Sequence, residues 1–379
     1  MHRVGMVFDD SLDKPDGVQQ FVLTLGQWLA AQGHDVHYLT GETKRTDLPN
    51  LHSLSKNVKV RFNQNRMAIP LPANRHNLKK LLREQQFDIL HVQMPYSPFL
   101  AGRIISAADP GTAVVGTFHI APHSDLVTVA NKLLGVWSRG TLKRFDAFTA
   151  TSAPAAEFAK QTFGIDCQVV PLPIRLDGFR GALPFDRYKA GKHVVFLGRL
   201  VERKGCQYLL QAAHLIFKEG DWPTDTKLII CGGGHMEGEL KRFVHANKMD
   251  KIVEFTGYIS EEDKPHYLAS ADVVVYPSTG GESFGVVLLE AMASCNGIVL
   301  AGNNPGYASV LGKRKQQLFD PLDPADLAKR LLGALDFDDM RLKARDWQRK
   351  YVEQFDVPNV GQQFYAIYDK AMSGRNIGT

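Results

Sequence analysis

Two carboxylates with seven residues between them, Glu282 and Glu290, stand in the most informative stretch of this chain, Gly280-Gly281-Glu282-Ser283-Phe284-Gly285-Val286-Val287-Leu288-Leu289-Glu290-Ala291-Met292-Ala293. The glycine pair and Glu282 follow a strand-like run from Asp272 to Thr279, and an apolar helical pattern starts directly after them. A helix start offers unpaired backbone N–H groups and the positive end of the helix dipole, which suits a phosphate or a sugar hydroxyl. At about 1.5 Å per residue, a helix throughout this stretch puts the two carboxylates roughly 12 Å apart. That is about the reach from the ribose to the transferred sugar of a nucleotide sugar. It is too far for the acid–base pair of a glycosidase, so neither group reads as a general base. Glu290 lies on an apolar face where an unpaired carboxylate is costly, so ribose hydroxyls or a buried cation must meet it.

Other segments carry complementary chemistry. In Phe196-Leu197-Gly198-Arg199-Leu200-Val201-Glu202-Arg203-Lys204-Gly205 a strand ends at Gly198, and Arg199 and Lys204 fall on the loop to the next helix, where two cations suit a diphosphate. Any of these charges could instead be a solvated surface group, Arg203 more readily than Arg199 or Lys204. Cys231-Gly232-Gly233-Gly234 ends another strand, and its glycines allow backbone to approach a base or ribose. The first strand runs into Asp9-Asp10-Ser11-Leu12-Asp13-Lys14-Pro15-Asp16-Gly17-Val18-Gln19, where Gly17 lets backbone approach a phosphate, although GxGxxG is absent. His119 closes Thr117-Phe118-His119 after an apolar strand, a place more common for core histidines than for functional ones; His123 is the weaker neighbour.

The elements that must position these groups alternate from end to end. Strands are expected at residues 4–8, 35–39, 89–92, 113–118, 147–150, 168–170, 193–196, 227–231, 252–255, 273–276 and 297–301. Amphipathic helices fall between them, for example at 19–32, 207–219 and 265–269. This pattern predicts α/β architecture with parallel sheets. The alternation restarts near Val194 after a proline-bearing segment, 171–184, so two domains are expected, residues 1–175 and 185–356, each Rossmann-like. Ligand is expected in a cleft at the carboxyl ends of their strands. The tail from about Val357 reads as a last helix.

With 379 residues and 44% hydrophobic content the chain can bury a sizeable core. A net charge of +5 does not argue for nucleic acid, and the basic stretch below lacks interleaved aromatics. Cys167, Cys206, Cys231 and Cys295 have neither disulfide-frame nor zinc-site spacing, which predicts buried reduced thiols. No apolar run approaches the roughly 20 residues of a spanning helix. From Leu48 to Arg83 there is no acidic residue, and Arg75, Lys79, Lys80 and Arg83 surround the leucines of Asn77-Leu78-Lys79-Lys80-Leu81-Leu82-Arg83. Such a helix suits an anionic membrane surface. A second basic-flanked segment runs from Leu126 to Trp137.

Several motifs together resemble the retaining glycosyltransferases of family 4. Glu282-x7-Glu290 is similar to their signature, and GGESFGVVLLEAMA is especially similar to the form in phosphatidylinositol mannosyltransferases. F-x-G-R-L-x-x-x-K-G at 196–205 resembles their diphosphate clamp, and Thr117-Phe118-His119 their T-F-H segment. The first loop resembles P-G-G-V-Q with Asp16 in place of the first glycine, and Phe255-Thr256-Gly257-Tyr258-Ile259 resembles the turn that cradles the base. The resemblance implies a GT-B fold with a deep interdomain cleft and a terminal helix, 357–379, packing back on the first domain. It implies that Arg199 and Lys204 hold the diphosphate in place of a metal, so that no cofactor is required. Glu290 would meet the ribose, and Glu282 and His119 the sugar. Gly198, Gly232, Gly234, Gly257, Ser283, Phe284, Gly285 and Val286 would border the donor, with Gly17 at its phosphate. Asp10, Asp13 and Gln19 would face the acceptor, although Asp10 stands where the family has an aromatic residue. Cys295-Asn296-Gly297 replaces a Gly-x-Pro turn, and nothing in the sequence explains it.

The function implied is retaining transfer of mannose from GDP-mannose to phosphatidylinositol or a glycolipid, by a cytoplasmic enzyme held peripherally on the inner face of the membrane. The alternatives are a UDP-sugar transferase with another acceptor, and a catalytically silent lipid-binding module of the same fold.

Overall fold

The computed structural model describes residues 1–13, 17–62, 65–70, 73–119, 138, 140–282 and 284–376; side chains are described for these except 57–70 and 376. They form two units, residues 1–174 with 355–379, and residues 175–354.

The first unit is built on a parallel seven-stranded sheet in the order β3-β2-β1-β6-β7-β8-β9. Its strands are β1 (Arg3–Phe8), β2 (Asp35–Gly41), β3 (Leu51–Ser55), β6 (Ile89–Gln93), β7 (Ala113–Phe118), β8 (Ala147–Ala150) and β9 (Gln168–Val169). β6 and β7 are buried along their whole length, which is why they read as mostly apolar runs without alternation, with the polar His91 and Thr117 hydrogen-bonded to each other. Chain order reverses between β1 and β6, so the loops leaving their carboxyl ends border a topological switch point, the usual place for a ligand. The terminal helix Val357–Asn376 belongs to this unit. Gly361 lets it approach Trp28 of the helix Gly17–Ala31, since a Cβ there would lie 2.3 Å from the indole. Tyr368 Oη bonds His91 Nδ1 at 2.7 Å inside the core.

The second unit holds a parallel six-stranded sheet in the order β12-β11-β10-β13-β14-β15. The strands are β10 (Lys192–Leu197), β11 (Thr226–Cys231), β12 (Val253–Gly257), β13 (Val273–Tyr276), β14 (Ile298–Gly302) and β15 (Leu318–Phe319). Its order reverses between β10 and β13. The loops that leave this second switch point carry the Arg199–Lys204 segment and the Gly280–Glu282 segment.

Four strands lie beyond the expected set: β3, β15, and an antiparallel hairpin of β4 (Asn57–Phe62) and β5 (Asn65–Pro70). β3 is an edge strand, half-buried at most positions, and β15 has two residues, so neither produces a clear hydrophobic period.

Candidate functional site

In the second unit, β10 ends before Gly198, and a single 3₁₀ turn, Glu202–Lys204, precedes the helix Cys206–Glu219. The turn aims two side chains at the loop after β13. Glu282 Oε1 lies 2.8 Å from Lys204 Nζ and 2.9 Å from Arg203 Nη1, and accepts from Ser278 Oγ at 2.9 Å. The backbone fastens the same contact, with Thr279 N–H donating to the Arg203 carbonyl at 2.9 Å. Arg199, exposed, adds its charge to the field at Lys204. Burial alone would raise the Glu282 carboxyl, but Lys204, Arg203 and Ser278 outweigh it and hold its pKa below the ordinary value. Burial pulls Lys204 down, Glu282 pushes it up, and repulsion from Arg203 and Arg199 leaves it below the usual lysine range. One carboxylate thus faces two close cations with a third nearby, a surplus of positive charge that an anionic ligand would offset.

The glycine segments read in the sequence have backbone reasons. A Cβ on Gly232 would lie 2.0 Å from the Gly198 carbonyl oxygen, and one on Gly234 2.2 Å from that of Leu200. The loops after β10 and β11 therefore press together backbone to backbone, and glycine is required there whatever binds above. Gly257 ends β12 with nothing within 4 Å of a Cβ.

The helix Val286–Ser294 starts from Gly285 with no side-chain cap. Phe284 is buried, and Ser283 lies outside the described residues. Glu290, 5% exposed, pairs with Lys264 Nζ at 3.0 Å, and Lys264 also meets Glu261 at 2.7 Å. Burial raises the Glu290 carboxyl against the opposing pull of Lys264. Of the two partners the sequence left open, the structure shows the cation. Arg203, which the sequence leaves more open to being a solvated charge than Arg199 or Lys204, is a full member of the Glu282 cluster. Neither Arg203's role in the site nor Lys264's is signalled locally, since Glu282 lies 79 residues from Arg203 and Glu290 lies 26 from Lys264.

In the first unit, His119 follows β7 and its Nε2 meets Gln93 Oε1, at the end of β6, at 2.7 Å. Phe21 packs edge-on at 4.9 Å between ring centroids. Burial lowers the His119 pKa to about 3, so the ring is neutral and suits a hydrogen bond to a sugar better than a charge contact. His123 lies outside the described residues.

The acceptor candidates hold the first loop together. Asp10 Oδ1 accepts from Ser11 N–H at 2.6 Å, and Gln19 Nε2 donates to the Ser11 carbonyl at 3.0 Å. Asp13 Oδ1 accepts from the backbone N–H of Lys44 at 2.8 Å and of Arg45 at 3.2 Å. Gly17, by contrast, is exposed at the start of its helix with nothing within 4 Å of a Cβ. Gly17→Ala is therefore expected to leave the melting temperature unchanged or slightly higher. If a phosphate approaches here, the variant loses roughly tenfold in kcat/KM for the donor; unaltered kinetics would remove Gly17 from the site.

Asp9 is a group the sequence reading passes over. It follows directly on β1, accepting from Ala101 N–H at 2.7 Å and from Ser97 Oγ. Burial, with help from Asp10 and against those two hydrogen bonds, raises its pKa from 3.8 to about 6. A raised carboxyl makes the folded state bind protons more readily than the unfolded one. Its destabilising effect, at most about 3 kcal/mol, is full above pH 6 and fades as pH falls toward 4. Between pH 7.5 and pH 5 Asp9 therefore offsets part of the stability lost as buried neutral histidines such as His119 come to favour the protonated unfolded chain, and Asp9→Asn should make the melting temperature fall more steeply with acid; equal slopes in thermal melts of the two proteins would refute it.

The basic helix Arg75–Gln85 is capped by Asn74, which accepts from the N–H groups of His76 and Asn77. Arg75, Lys79, Lys80 and Arg83 are all exposed. Its leucines are not available to lipid: Leu78 is buried, and Leu81 and Leu82 pack against the core of the unit. The helix is amphipathic as expected, but its apolar face is packed on the core of the unit and only the basic face is exposed. The second basic segment, 126–137, lies outside the described residues. Among the described residues no helix is long and apolar enough to cross a membrane, and no group of three or more His, Cys, Asp or Glu could hold a metal ion. The four cysteines are free thiols.

Known proteins share this arrangement of two parallel sheets. Residues 185–351 match the family model described as glycosyl transferases group 1, and residues 15–177 match glycosyltransferase family 4. The phosphatidyl-myo-inositol mannosyltransferase of Mycolicibacterium smegmatis is 32% identical over 99% of this chain and 95% of its own. That of Propionibacterium freudenreichii is 31% identical over 100% and 97%. Among solved structures, a Rickettsia africae glycosyltransferase superposes with a TM-score of 0.76 at 15% identity, covering 98% of both chains. Anabaena HepE, solved with UDP and glucose, gives 0.72 at 15% identity over 97% of this chain and 100% of its own. The fold is GT-B. The chain belongs to family 4 of the glycosyltransferases, alongside the phosphatidyl-myo-inositol mannosyltransferases it resembles along nearly its whole length.

Proposed function

We propose that this glycosyltransferase moves mannose from GDP-mannose to phosphatidylinositol or a closely related lipid, with retention at the sugar carbon. The observation that carries the donor half is the positive surplus around Glu282. Lys204, Arg203 and Arg199 converge where β10 and β13 part, beside a helix start with no side-chain cap, which is the charge and geometry a diphosphate needs. These cations neutralise charge on the departing nucleotide, so transfer proceeds without added metal and survives a chelator. Glu282 orients the two cations and meets the sugar with its remaining acceptor capacity, and His119, in the other unit, has a neutral ring suited to hydrogen-bonding a sugar hydroxyl. Glu290 turns to the ribose. A donor phosphate oxygen, not a side chain, accepts the proton of the attacking hydroxyl.

The lipid half is supported by the mannosyltransferase likeness and by the exposed face of Arg75, Lys79, Lys80 and Arg83. With the leucines turned inward, attachment to an anionic leaflet is electrostatic, about 1 kcal/mol per basic residue, and weakens with salt. The protein then works from the cytoplasmic side as a peripheral enzyme. A UDP-sugar with another acceptor is the second reading. It is favoured by one observation: Asp10 and Asp13 hold the first loop instead of presenting free carboxylates. Incubation with radiolabelled GDP-mannose and phosphatidylinositol vesicles tests the first reading. Label in the lipid phase with an α-linked product supports it; label only with UDP-sugars selects the second.

A further inference from the structure

Tyr276 is the last residue of β13, at the switch point of the second sheet. Side chains alternate along a strand. Val273 and Val275 join the apolar cluster formed with the helices Cys206–Glu219, Glu237–Ala246 and Pro324–Asp336, and that cluster includes no residue of Lys264–Ala269 or Val286–Ser294. Tyr276 therefore faces the other side, where Lys264 and Glu290 sit. It is 3% exposed, its ring lies 6.4 Å from that of Tyr307, and its hydroxyl has no hydrogen-bond partner among the described residues. Burial and then the field of Glu290 push its pKa well above the ordinary value, so the phenol keeps its proton. A buried hydroxyl with no acceptor is costly, and phenylalanine would fill the same space without that cost. Such an orphan donor beside a carboxylate, at the mouth of a nucleotide-type sheet, points to an acceptor that arrives with the ligand.

We propose that Tyr276 is a second ribose contact of the donor site, its hydroxyl donating to one ribose oxygen while Glu290 accepts from the neighbouring hydroxyl. This rests on the donor-site reading above. It extends that reading by making the ribose edge, and not only the diphosphate, a determinant of donor binding.

The test is calorimetric binding of GDP and UDP, and of their 2′- and 3′-deoxy forms, to the full-length protein and to Tyr276→Phe, with a thermal melt of each. The variant should melt no lower than wild type and bind the preferred nucleotide about five- to tenfold more weakly. Wild type should lose a similar factor on one of the deoxy forms, and the variant should lose less on that form, because the contact is already gone. Unchanged nucleotide affinity in Tyr276→Phe overturns the inference and leaves the donor reading standing. Fully additive losses on both deoxy forms overturn it as well, even in a variant that melts lower. Wild type binding neither GDP nor UDP overturns the donor reading and this inference together.

Discussion

Lys204→Ala should lower kcat for transfer by a hundred- to a thousandfold, about 3 to 4 kcal/mol of lost transition-state stabilisation. The expectation follows from where the charge sits. Lys204 is only 18% exposed at its side chain, so its field reaches a diphosphate with little screening by water. Removing it leaves Glu282 with Arg203 at 2.9 Å and Ser278 at 2.9 Å, so the loop after β13 keeps its anchor and the melting temperature should move little. Glu282→Ala behaves differently. It sets Lys204 and Arg203 side by side without their shared anion, and both stability and activity should fall. The pH profile gives a second reading of the same site. Burial and the neighbouring cations hold Lys204 below its ordinary pKa, and a bound diphosphate raises it again. Donor affinity should therefore decline as pH rises through the lowered value. Lys204→Arg, always charged, should flatten that decline even though its different shape costs activity. Activity within threefold of wild type in Lys204→Ala would reduce the cluster to a structural ion pair.

The largest loss of stability is expected from Lys264→Ala. Its ammonium is 10% exposed and the Glu290 carboxylate 6% exposed, so the substitution strands a buried carboxylate inside the second unit. Breaking such a pair from one side costs about 3 to 5 kcal/mol, and a unit of this size should melt roughly 10 °C lower. Adding Glu290→Gln to that background should recover part of the loss, because a neutral amide is far cheaper to bury than an unpaired charge. The double variant would still bind nucleotide poorly. A Lys264→Ala melt within 2 °C of wild type would mean that Glu290 finds another partner or takes up a proton at little cost.

How far the sequence could be read follows from the range of each interaction. The buried parallel strands show as short, mostly apolar runs because any polar side chain within them needs a buried partner, as His91, Thr117 and Thr149 find in one another, and β7, β8 and β13 fall on their expected residues. The hairpin does alternate, Val58-Lys59-Val60-Arg61-Phe62, yet within an acid-free stretch its charge is more conspicuous than its period. Arg203 and Lys264 mark the limit within the site. Their roles come from pairing across long chain separations, which no local pattern encodes. Only Glu290 hinted at it, by standing on an apolar face where some cation or hydroxyl had to meet it. Asp13 shows the converse: its type suits a polyol, and the fold uses it to hold the Lys44-Arg45 backbone.

The most direct measurement is release of free nucleotide from a panel of GDP- and UDP-sugars, without added metal, with and without anionic vesicles containing phosphatidylinositol. The account predicts release from GDP-mannose that rises with those vesicles, persists in chelator and collapses in Lys204→Ala. Release from no donor in the panel, or release from GDP-mannose that Lys204→Ala leaves intact, would contradict it.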